Sequence, residues 1–313
     1  MKQDRRKFIK KGLLATLGSL LFPQIIKANE DEKNIPLTLK PTPTIWKDEE
    51  INIAWIGHAT ILINFYGTII LTDPVLLKRI GLNVAGLTFG PSRIISPALT
   101  LDEIPKPDII LLSHAHFDHT DYQTLKRFTN KFPNEIDVIA AKLTKDVISD
   151  LKWKSLTIMD WKDTFKINQL KFTAIETKHF GWRFPWEKDR SRGFIKDGRS
   201  YNAYLIEKNG KGVLFGGDTA LTDKYEIVKD KNIDVAIMPI GAYNPWKDVH
   251  CNPEEALTMA NNIGAKYFIP IHCKTFKLGA EPYEEPIEWL NKSVINYEIS
   301  LGLDTIGQTF TLL

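Results

Sequence analysis

Cysteine is scarce in this chain, and its scarcity excludes a fold built on disulfide bridges. Cys251 and Cys273 are the only two cysteines among 313 residues. Two cysteines cannot supply the framework of bridges that small secreted domains depend on, so we expect two free, buried thiols. The sequence also lacks internal repeats and low-complexity tracts, which excludes repeat arrays and disordered polar tracts.

An excess of charge of one sign is also lacking. Lys and Arg number 41 against 38 Asp and Glu, a net charge of +3. Seven of these bases and one of the acids lie in residues 1–28, so the remaining chain carries 34 minus 37, or −3. Domains that bind nucleic acid carry a basic surface, so we expect no nucleic-acid partner.

An apolar run near the start of the chain is too short to cross a membrane. Residues 12–26 make a run of fifteen that includes Pro23, whereas a spanning helix needs about 20 apolar residues. The run follows Asp4–Lys10, which contains two adjacent arginines and resembles a twin-arginine export signal. We therefore predict that residues 1–28 are a leader read by the twin-arginine export machinery. The protein is then periplasmic or exported, and membrane-associated if the leader is not cleaved.

After the leader, 285 residues remain (313 minus 28), a length that suits one large domain. Residues 29–48 contain three prolines and are predicted to be an extended lead-in, and residues 49–313 a catalytic domain. In this domain, β-rich runs alternate with helical patterns through two halves. The alternation predicts an α+β fold of four layers, an αββα sandwich with two mixed sheets between helices.

Three histidines and an aspartate lie within six positions directly after a predicted buried strand. The strand is Ile109–Leu112, and the cluster comprises His114, His116, Asp118 and His119. Zinc binds imidazole nitrogen and carboxylate oxygen held on a rigid support. Removing four such groups from water is costly unless a metal compensates. The cluster therefore predicts a metal site rather than four unrelated polar side chains.

The other histidines also lie near the ends of predicted strands. None lies inside a predicted helix, and most lie at or just beyond the carboxyl end of a predicted strand. Strand ends on one edge of a sheet converge in space, so these side chains are expected to share one cleft. The seven histidines are His58, His114, His116, His119, His179, His250 and His272.

The cluster after the strand resembles the HxHxDH signature of the metallo-β-lactamase superfamily. Further pieces resemble the bacterial relatives of N-acyl-phosphatidylethanolamine phospholipase D, over nearly all of residues 51–276. The segment 180–199 departs from that pattern. The matching pieces are GHAT at 57–60, LTDP at 71–74, GGDT at 216–219, PIGAY at 239–243, HCNPEEA at 250–256 and PIHCKTF at 270–276.

The resemblance implies a binuclear zinc hydrolase, with two Zn²⁺ per chain and a bound water or hydroxide as the nucleophile. In this chain Asp218 would bridge the ions, and no Ser or Cys stands out as an alternative nucleophile. One zinc would be held by His114, His116 and His179, and the other by Asp118, His119 and His272. Asp73 is implied to support a metal ligand by accepting its free N–H.

Four residues are predicted to be catalytic: Asp118, His250, Tyr243 and His58. The ligand set implied by the resemblance is complete without His58 and Asp73, so we expect neither to bind a metal. His250 and Tyr243 follow the predicted strand 235–240 and are expected to be free for substrate. A histidine of ordinary pKa, about 6.5, can neutralise a phosphate oxygen or protonate the leaving oxygen. The alternative is that His250 only caps or packs beneath the next helix.

Residues 180–199 interleave five aromatic residues with six basic ones. One interpretation is a lid that meets an anionic, partly apolar substrate, or a patch for peripheral membrane contact. The other is an ordinary surface loop.

Three functions remain open at this point. The first is a phosphodiesterase of phospholipase D type acting on a phospholipid. The second is a hydrolase with the same fold and metals that acts on a lactone, a nucleotide phosphodiester or a β-lactam. The third is a non-catalytic metal-binding envelope protein, which the intact ligand set disfavours.

Overall fold

The computed structural model describes residues 35–313. The predicted leader, residues 1–28, lies outside the described residues, as does the first part of the lead-in. The rest of the lead-in is extended: Ile35 bridges to Ile95, and Pro43–Ile45 form one 3₁₀ turn. Within this described part of the chain, no helix is both long enough and apolar enough to span a bilayer.

Sixteen strands within residues 35–313 form two seven-stranded mixed sheets and a separate hairpin. The strands are β1 (Ile51–Gly57), β2 (Thr60–Phe65), β3 (Thr68–Thr72), β4 (Leu82–Val84), β5 (Leu87–Phe89), β6 (Ile109–Leu112), β7 (Asp137–Ala141), β8 (Ser155–Met159), β9 (Thr164–Ile167), β10 (Leu170–Glu176), β11 (Asn202–Lys208), β12 (Lys211–Phe215), β13 (Val235–Pro239), β14 (Tyr267–Ile271), β15 (Ser300–Leu301) and β16 (Thr309–Leu312). The first sheet has the order β16-β1-β2-β3-β6-β7-β8 and the second β15-β14-β13-β12-β11-β10-β9, while β4 pairs only with β5.

Two segments whose residue patterns favour helices, 143–151 and 222–229, form shorter helical elements. In the first, only Lys145–Ile148 is α-helical, and the helix cannot begin at Leu143, whose φ of 61° lies in the left-handed region. Helix 222–229 is the 3₁₀ turn Lys224–Val228. The α-helices are α1 (Tyr122–Lys131), α2 (Lys145–Ile148), α3 (Tyr243–Trp246), α4 (Pro253–Asn262) and α5 (Glu285–Ser293).

The sheets pack face to face with helices outside them. Alternate residues of β6 point to opposite faces: Ile109 and Leu111 join the core between the sheets, and Ile110 and Leu112 join the core beneath α1. Leu125 of α1 belongs to that second core. On the far side, α4 packs against β13. The predicted αββα sandwich is confirmed.

Both cysteines are free and buried, as predicted. The thiol of Cys251 donates to the carbonyl of Pro239 at 3.2 Å. Burial raises the pKa of the Cys251 thiol and of the Cys273 thiol. Neither thiol is therefore prepared to act as a nucleophile.

Polar residues follow the carboxyl ends of strands from both sheets, at the edge where the sheets meet. This arrangement is what positions the site, because parallel and neighbouring strands bring their ends together. The residues are His58 after β1, Asp73 after β3, His114 after β6, His179 after β10, Asp218 after β12 and His272 after β14.

Helix α4 begins with a capping box. The side chain of Asn252 accepts a hydrogen bond from the backbone of Glu255 at 2.9 Å, and the Glu255 carboxylate accepts one from the backbone of Asn252 at 3.0 Å. Pro253 fills the first helical position, where no N–H is needed. The start of this helix therefore needs no contribution from His250.

The substitution Asn252→Ala should lower the free energy of unfolding by about 1 kcal/mol, because one backbone N–H of the first turn loses its acceptor. Chemical denaturation measures this change. The matched control is Asn262→Ala, at the exposed last position of the same helix. Equal losses in the two variants would contradict the role of the cap.

Candidate metal centre

All seven histidines and two aspartates meet where the strand ends converge. The potential donor atoms form three overlapping groups, and within each group they lie within 4.8 Å of one another. The groups are His114, His116, His179 and Asp218; His58, Asp118, His119 and His272; and Asp218, His250 and His272. The predicted metal-ligating residues are thus all brought together.

The first group presents nitrogen atoms at metal-ligand spacing. Nδ1 of His116 lies 2.9 Å from Nε2 of His114 and 3.2 Å from Nε2 of His179. Oδ2 of Asp218 lies 3.9 Å and 3.8 Å from the same two Nε2 atoms. Donors that each lie about 2.0–2.2 Å from one zinc ion are roughly 3–4 Å apart, so this group fits a single ion.

The second group has similar spacing, and Asp218 of the first group reaches it. Oδ2 of Asp118 lies 3.6 Å from Nε2 of His119 and 3.3 Å from Nε2 of His272. Oδ2 of Asp218 lies 3.1 Å from each of these two nitrogens. A carboxylate within reach of both groups is what the predicted bridging role of Asp218 requires.

Several buried atoms of the centre have no hydrogen-bond partner among the described residues. They include Nε2 of His119 and Oδ1 of Asp218. Buried polar atoms in folded proteins are almost always paired, so these two need an explanation. An ion between the groups would satisfy both, and imidazole with carboxylate is a donor set that zinc accepts. The residues present therefore fit a metal centre.

Hydrogen bonds on the outer side orient three of the histidines. The buried carboxylate of Asp73 accepts from Nδ1 of His119 at 2.7 Å and from the backbone N–H of Ser113 at 2.7 Å. The hydroxyl of Ser113 lies 2.9 Å from Nδ1 of His114, and the carbonyl of Val249 lies 2.8 Å from Nδ1 of His179. Each ring thereby directs Nε2 to the centre. Asp73 lies where its predicted supporting role places it.

Burial keeps part of the centre neutral. It lowers the pKa of His179 to about 3 and that of His116 to about 4, so both rings are in the form that binds metals. Burial opposes ionisation of Asp118 and Asp218 as well. The neighbouring histidines, with His119 foremost, nevertheless hold the pKa of both carboxyls well below the usual range.

The pKa values of two other histidines are raised instead. Burial opposes the charged form of His119 and His272, but the carboxylate of Asp218 raises the pKa of His119 well above its usual value and that of His272 to about 9. The same negative potential that favours a proton on these rings favours a divalent cation in its place. The electrostatics therefore agree with the donor spacing.

His250 belongs to the centre, whereas Tyr243 does not contact it. The His250 ring stacks on His272 at 5.0 Å, and its Nδ1 lies 3.9 Å from Oδ2 of Asp218. Burial lowers the pKa of His250 to about 3, far below the ordinary value that the sequence analysis assumed. The hydroxyl of Tyr243 donates to Glu285 at 2.7 Å, so it is not the free phenol that the sequence suggested.

The aromatic residues of segment 180–199 cover the metal centre in part. Phe180 packs on His116 and His179, at ring distances of 4.5 and 4.6 Å, and Trp182 packs on Phe180. Trp186 points outward and is 78% exposed. This segment therefore combines a contact to the site with an outward apolar side chain.

Three of the six basic residues in that segment are buried arginines with structural partners, which the composition did not reveal. Arg183 donates to the carbonyls of Ala115 and Thr120. Arg190 pairs with Asp160, and Arg199 with Asp146 and Glu187. All three arginines are buried, so they are not available to a substrate.

A cavity of about 230 Å³ adjoins the centre at His272. Its wall combines apolar residues with two lysines, Lys274 and Lys277, and one carboxylate, Glu281. The two lysines were not predicted as site residues, although both lie within five residues of the strand-end histidine. Apolar members of the wall are Ile94, Phe276, Leu278, Pro282 and Pro286.

Comparisons with known proteins agree with this architecture. The family described as "Beta-lactamase superfamily domain" matches residues 68–273. The chain is 30% identical to N-acyl-phosphatidylethanolamine-hydrolyzing phospholipase D 1 of Caenorhabditis elegans, over 76% of this chain and 68% of that protein. It is 29% identical to a metal-dependent hydrolase of Methanoculleus marisnigri, over 61% of this chain and 78% of that protein.

A solved structure shares the fold. The metallo-β-lactamase fold protein YhfI of Bacillus subtilis superposes with a TM-score of 0.58, at 16% identity. The match covers 84% of this chain and 99% of that one. At this identity the likeness concerns the fold alone.

Substitution of Asp73 tests whether its carboxylate orients His119 for metal binding. Asp73→Asn should weaken metal affinity about 10–100-fold, because an amide cannot hold Nδ1–H of His119 as a carboxylate does. Competition with a chelator measures the affinity. Asp137→Asn is the control, since Asp137 is a buried carboxylate that binds Lys154 and Ser155 instead. Unchanged metal affinity in Asp73→Asn would contradict the supporting role.

Proposed function

The chain belongs to the metallo-β-lactamase superfamily and is a metal-dependent hydrolase, and from this premise we propose that it is a binuclear zinc phosphodiesterase acting on N-acyl-phosphatidylethanolamine-like phospholipids. The observation that carries the proposal is the position of Asp218, which belongs to the first donor group and whose Oδ2 lies 3.1 Å from the Nε2 atoms of His119 and His272 in the second. Two adjacent ions suit a phosphodiester, whose negative charge otherwise repels a nucleophile.

Zinc, when bound, would supply Lewis acidity, which reduces the charge on phosphate oxygens and makes a water molecule more acidic. The chain's own residues would direct the substrate. Asp118 and His250 are among the more accessible polar groups of the centre, with side chains 16% and 11% exposed. The deeper ligands, such as His119 with a fully buried side chain, cannot be reached by substrate.

His250 would act on the substrate as a neutral hydrogen-bond donor. Its low pKa leaves the imidazole uncharged near pH 7, so one ring nitrogen carries an N–H that can be donated to a phosphate oxygen. A fixed N–H directed at an oxygen that gains charge in the transition state is worth about 10²–10³ in rate. This role replaces the general acid that the sequence alone suggested.

The surroundings of the centre support an amphiphilic, anionic substrate. Lys274 and Lys277 line the cavity beside His272 and can attract a phosphate, while the apolar wall can receive hydrocarbon. Lys274 also pairs with Glu284 at the surface. A cavity with an apolar wall and a charged rim fits the headgroup region of a lipid better than a fully polar substrate.

Exposed apolar side chains favour contact with a lipid surface. Trp186, Phe194 and Ile195 in segment 180–199 are 78%, 48% and 52% exposed. The β4–β5 hairpin adds four more, and its cross-strand pairs place them on one face. These four are Leu82, Val84, Leu87 and Phe89. Export through the predicted leader would bring this surface to the phospholipids of the cell envelope.

An assay of the zinc-loaded protein on lipid vesicles tests the proposal. We expect release of phosphatidic acid from N-acyl-phosphatidylethanolamine, and two zinc ions per chain by elemental analysis. Asp218→Ala should lose one ion and most of the activity, because it removes the shared carboxylate. Two retained ions with near-normal turnover would refute the bridge. Hydrolysis of a lactone or a cyclic nucleotide, with none of the lipid, would refute the substrate class.

A second substitution separates substrate contact from metal binding. His250→Ala should retain both ions and the fold but lose about 10²–10³ in turnover, because a phosphate oxygen loses its hydrogen-bond donor. Steady-state kinetics with metal analysis of the same sample measures both effects. If stability or metal content falls while turnover per loaded site is unchanged, His250 is structural.

A further inference from the structure

His58 is held in an unusual backbone conformation at the turn between β1 and β2. Its φ is 51°, in the left-handed region that non-glycine residues rarely occupy. Residues kept in such conformations cluster at functional sites, where the surrounding structure over-determines them. A glycine would be free of this constraint, so the imidazole needs a reason to be there.

Three hydrogen bonds fix the backbone of His58. Its N–H donates to the hydroxyl of Thr275 at 2.7 Å. Its carbonyl accepts from the indole N–H of Trp55 at 2.8 Å and from the backbone N–H of His272 at 3.2 Å. Two of these partners belong to the segment after β14. The position of the His58 ring is therefore tied to that of His272.

The ring itself is out of reach of a substrate. His58 is 1% exposed. Its ring lies 4.3 Å from the ring of His272 and 5.4 Å from that of His119, and the edge of Phe276 closes a further side at 5.3 Å. A role in catalysis by direct contact with substrate is thus excluded. The imidazole can act only on the groups it touches.

Nε2 of His58 points toward Asp118 and His272, two other members of the second group of donors. It lies 3.1 Å from Oδ2 of Asp118, and the same oxygen lies 3.3 Å from Nε2 of His272. If His58 and His272 both donated to this oxygen, both would need a proton on Nε2. A metal-binding His272 must instead present a bare nitrogen there. A cation bound by Nε2 of His58, Nε2 of His272 and Oδ2 of Asp118 removes this conflict, because neither nitrogen then carries a proton.

We propose that His58 is itself a metal ligand, the fourth protein donor to the ion held by Asp118, His119 and His272. The inference rests on the metal centre of the proposed function but not on its substrate. It also revises the sequence-based expectation that His58 binds no metal. The second group would then offer its ion four donors besides the shared Asp218, whereas the first group offers three besides Asp218.

The substitution His58→Gln tests the proposal, because the glutamine amide can still donate a hydrogen bond to Asp118 but is a poor zinc ligand. We expect the affinity for one of the two ions to fall by more than about 100-fold, beyond the loss caused by removing an outer hydrogen-bond partner. Asp73→Asn provides that benchmark in the same protein. Chelator competition and the visible spectrum of the Co²⁺-loaded protein give affinity and coordination, respectively.

The spectrum of His58→Gln should differ from that of the parent, and the spectrum of Asp73→Asn should not. An affinity loss no greater than that of Asp73→Asn, with an unchanged Co²⁺ spectrum, would overturn the proposal and leave His58 as a partner of Asp118. These measurements involve no substrate. A parent protein that binds two ions but hydrolyses no phosphodiester would therefore refute the proposed function without affecting this inference.

A second measurement needs no variant and serves if His58→Gln does not fold. In a crystal structure of the zinc-loaded parent, Nε2 of His58 should lie about 2.0–2.1 Å from an ion, the usual zinc–nitrogen distance. A separation beyond about 3 Å in that structure would overturn the assignment.

Discussion

Negative charge buried between two sheets is the constraint on which the rest of this structure depends. The side chain of Asp218 is 1% exposed, and its Oδ2 lies 3.1 Å from nitrogens of both His119 and His272. Such a charge must be met by protons on the imidazoles or by cations, because an isolated carboxylate is too costly to bury. Only cations would also satisfy the unpaired donor atoms around it. The strand ends, the turn after β6 and the hydrogen bonds of Asp73 all hold that charge in place.

The fold stores backbone strain at the residues that carry this centre. His58, Asp73 and His272 have φ values of 51°, 33° and 62°, and each directly follows a strand. A non-glycine residue in this region costs about 1–3 kcal/mol. The strands before them are almost completely buried, and the burial of their apolar side chains offsets that cost. A rigid sheet edge is thus what allows so many polar side chains to converge.

The parts of this site that follow strands could be predicted from the sequence, because a short apolar run followed by a polar residue fixes both the element and the position of the side chain. This holds for the cluster after β6, for Asp218 and for His272. Long-range partners could not be predicted. Nothing near Tyr243 in the sequence indicates that Glu285 accepts a hydrogen bond from its hydroxyl, and nothing near Arg199 indicates its partner Asp146. The low pKa of His250 likewise depends on burial, which the sequence alone does not give.

The guanidinium of Arg183 limits the movement of segment 180–199 over the metal centre. It donates to two carbonyls of the turn that carries His116 and lies over the ring of Phe117 at 3.9 Å. Segment 180–199 is thereby attached to the metal-binding turn, and it cannot move away from that turn without breaking buried hydrogen bonds. The opposite side, at His272, opens into the cavity whose wall contains Lys274 and Lys277. A molecule that approaches the metal centre through this cavity need not displace segment 180–199.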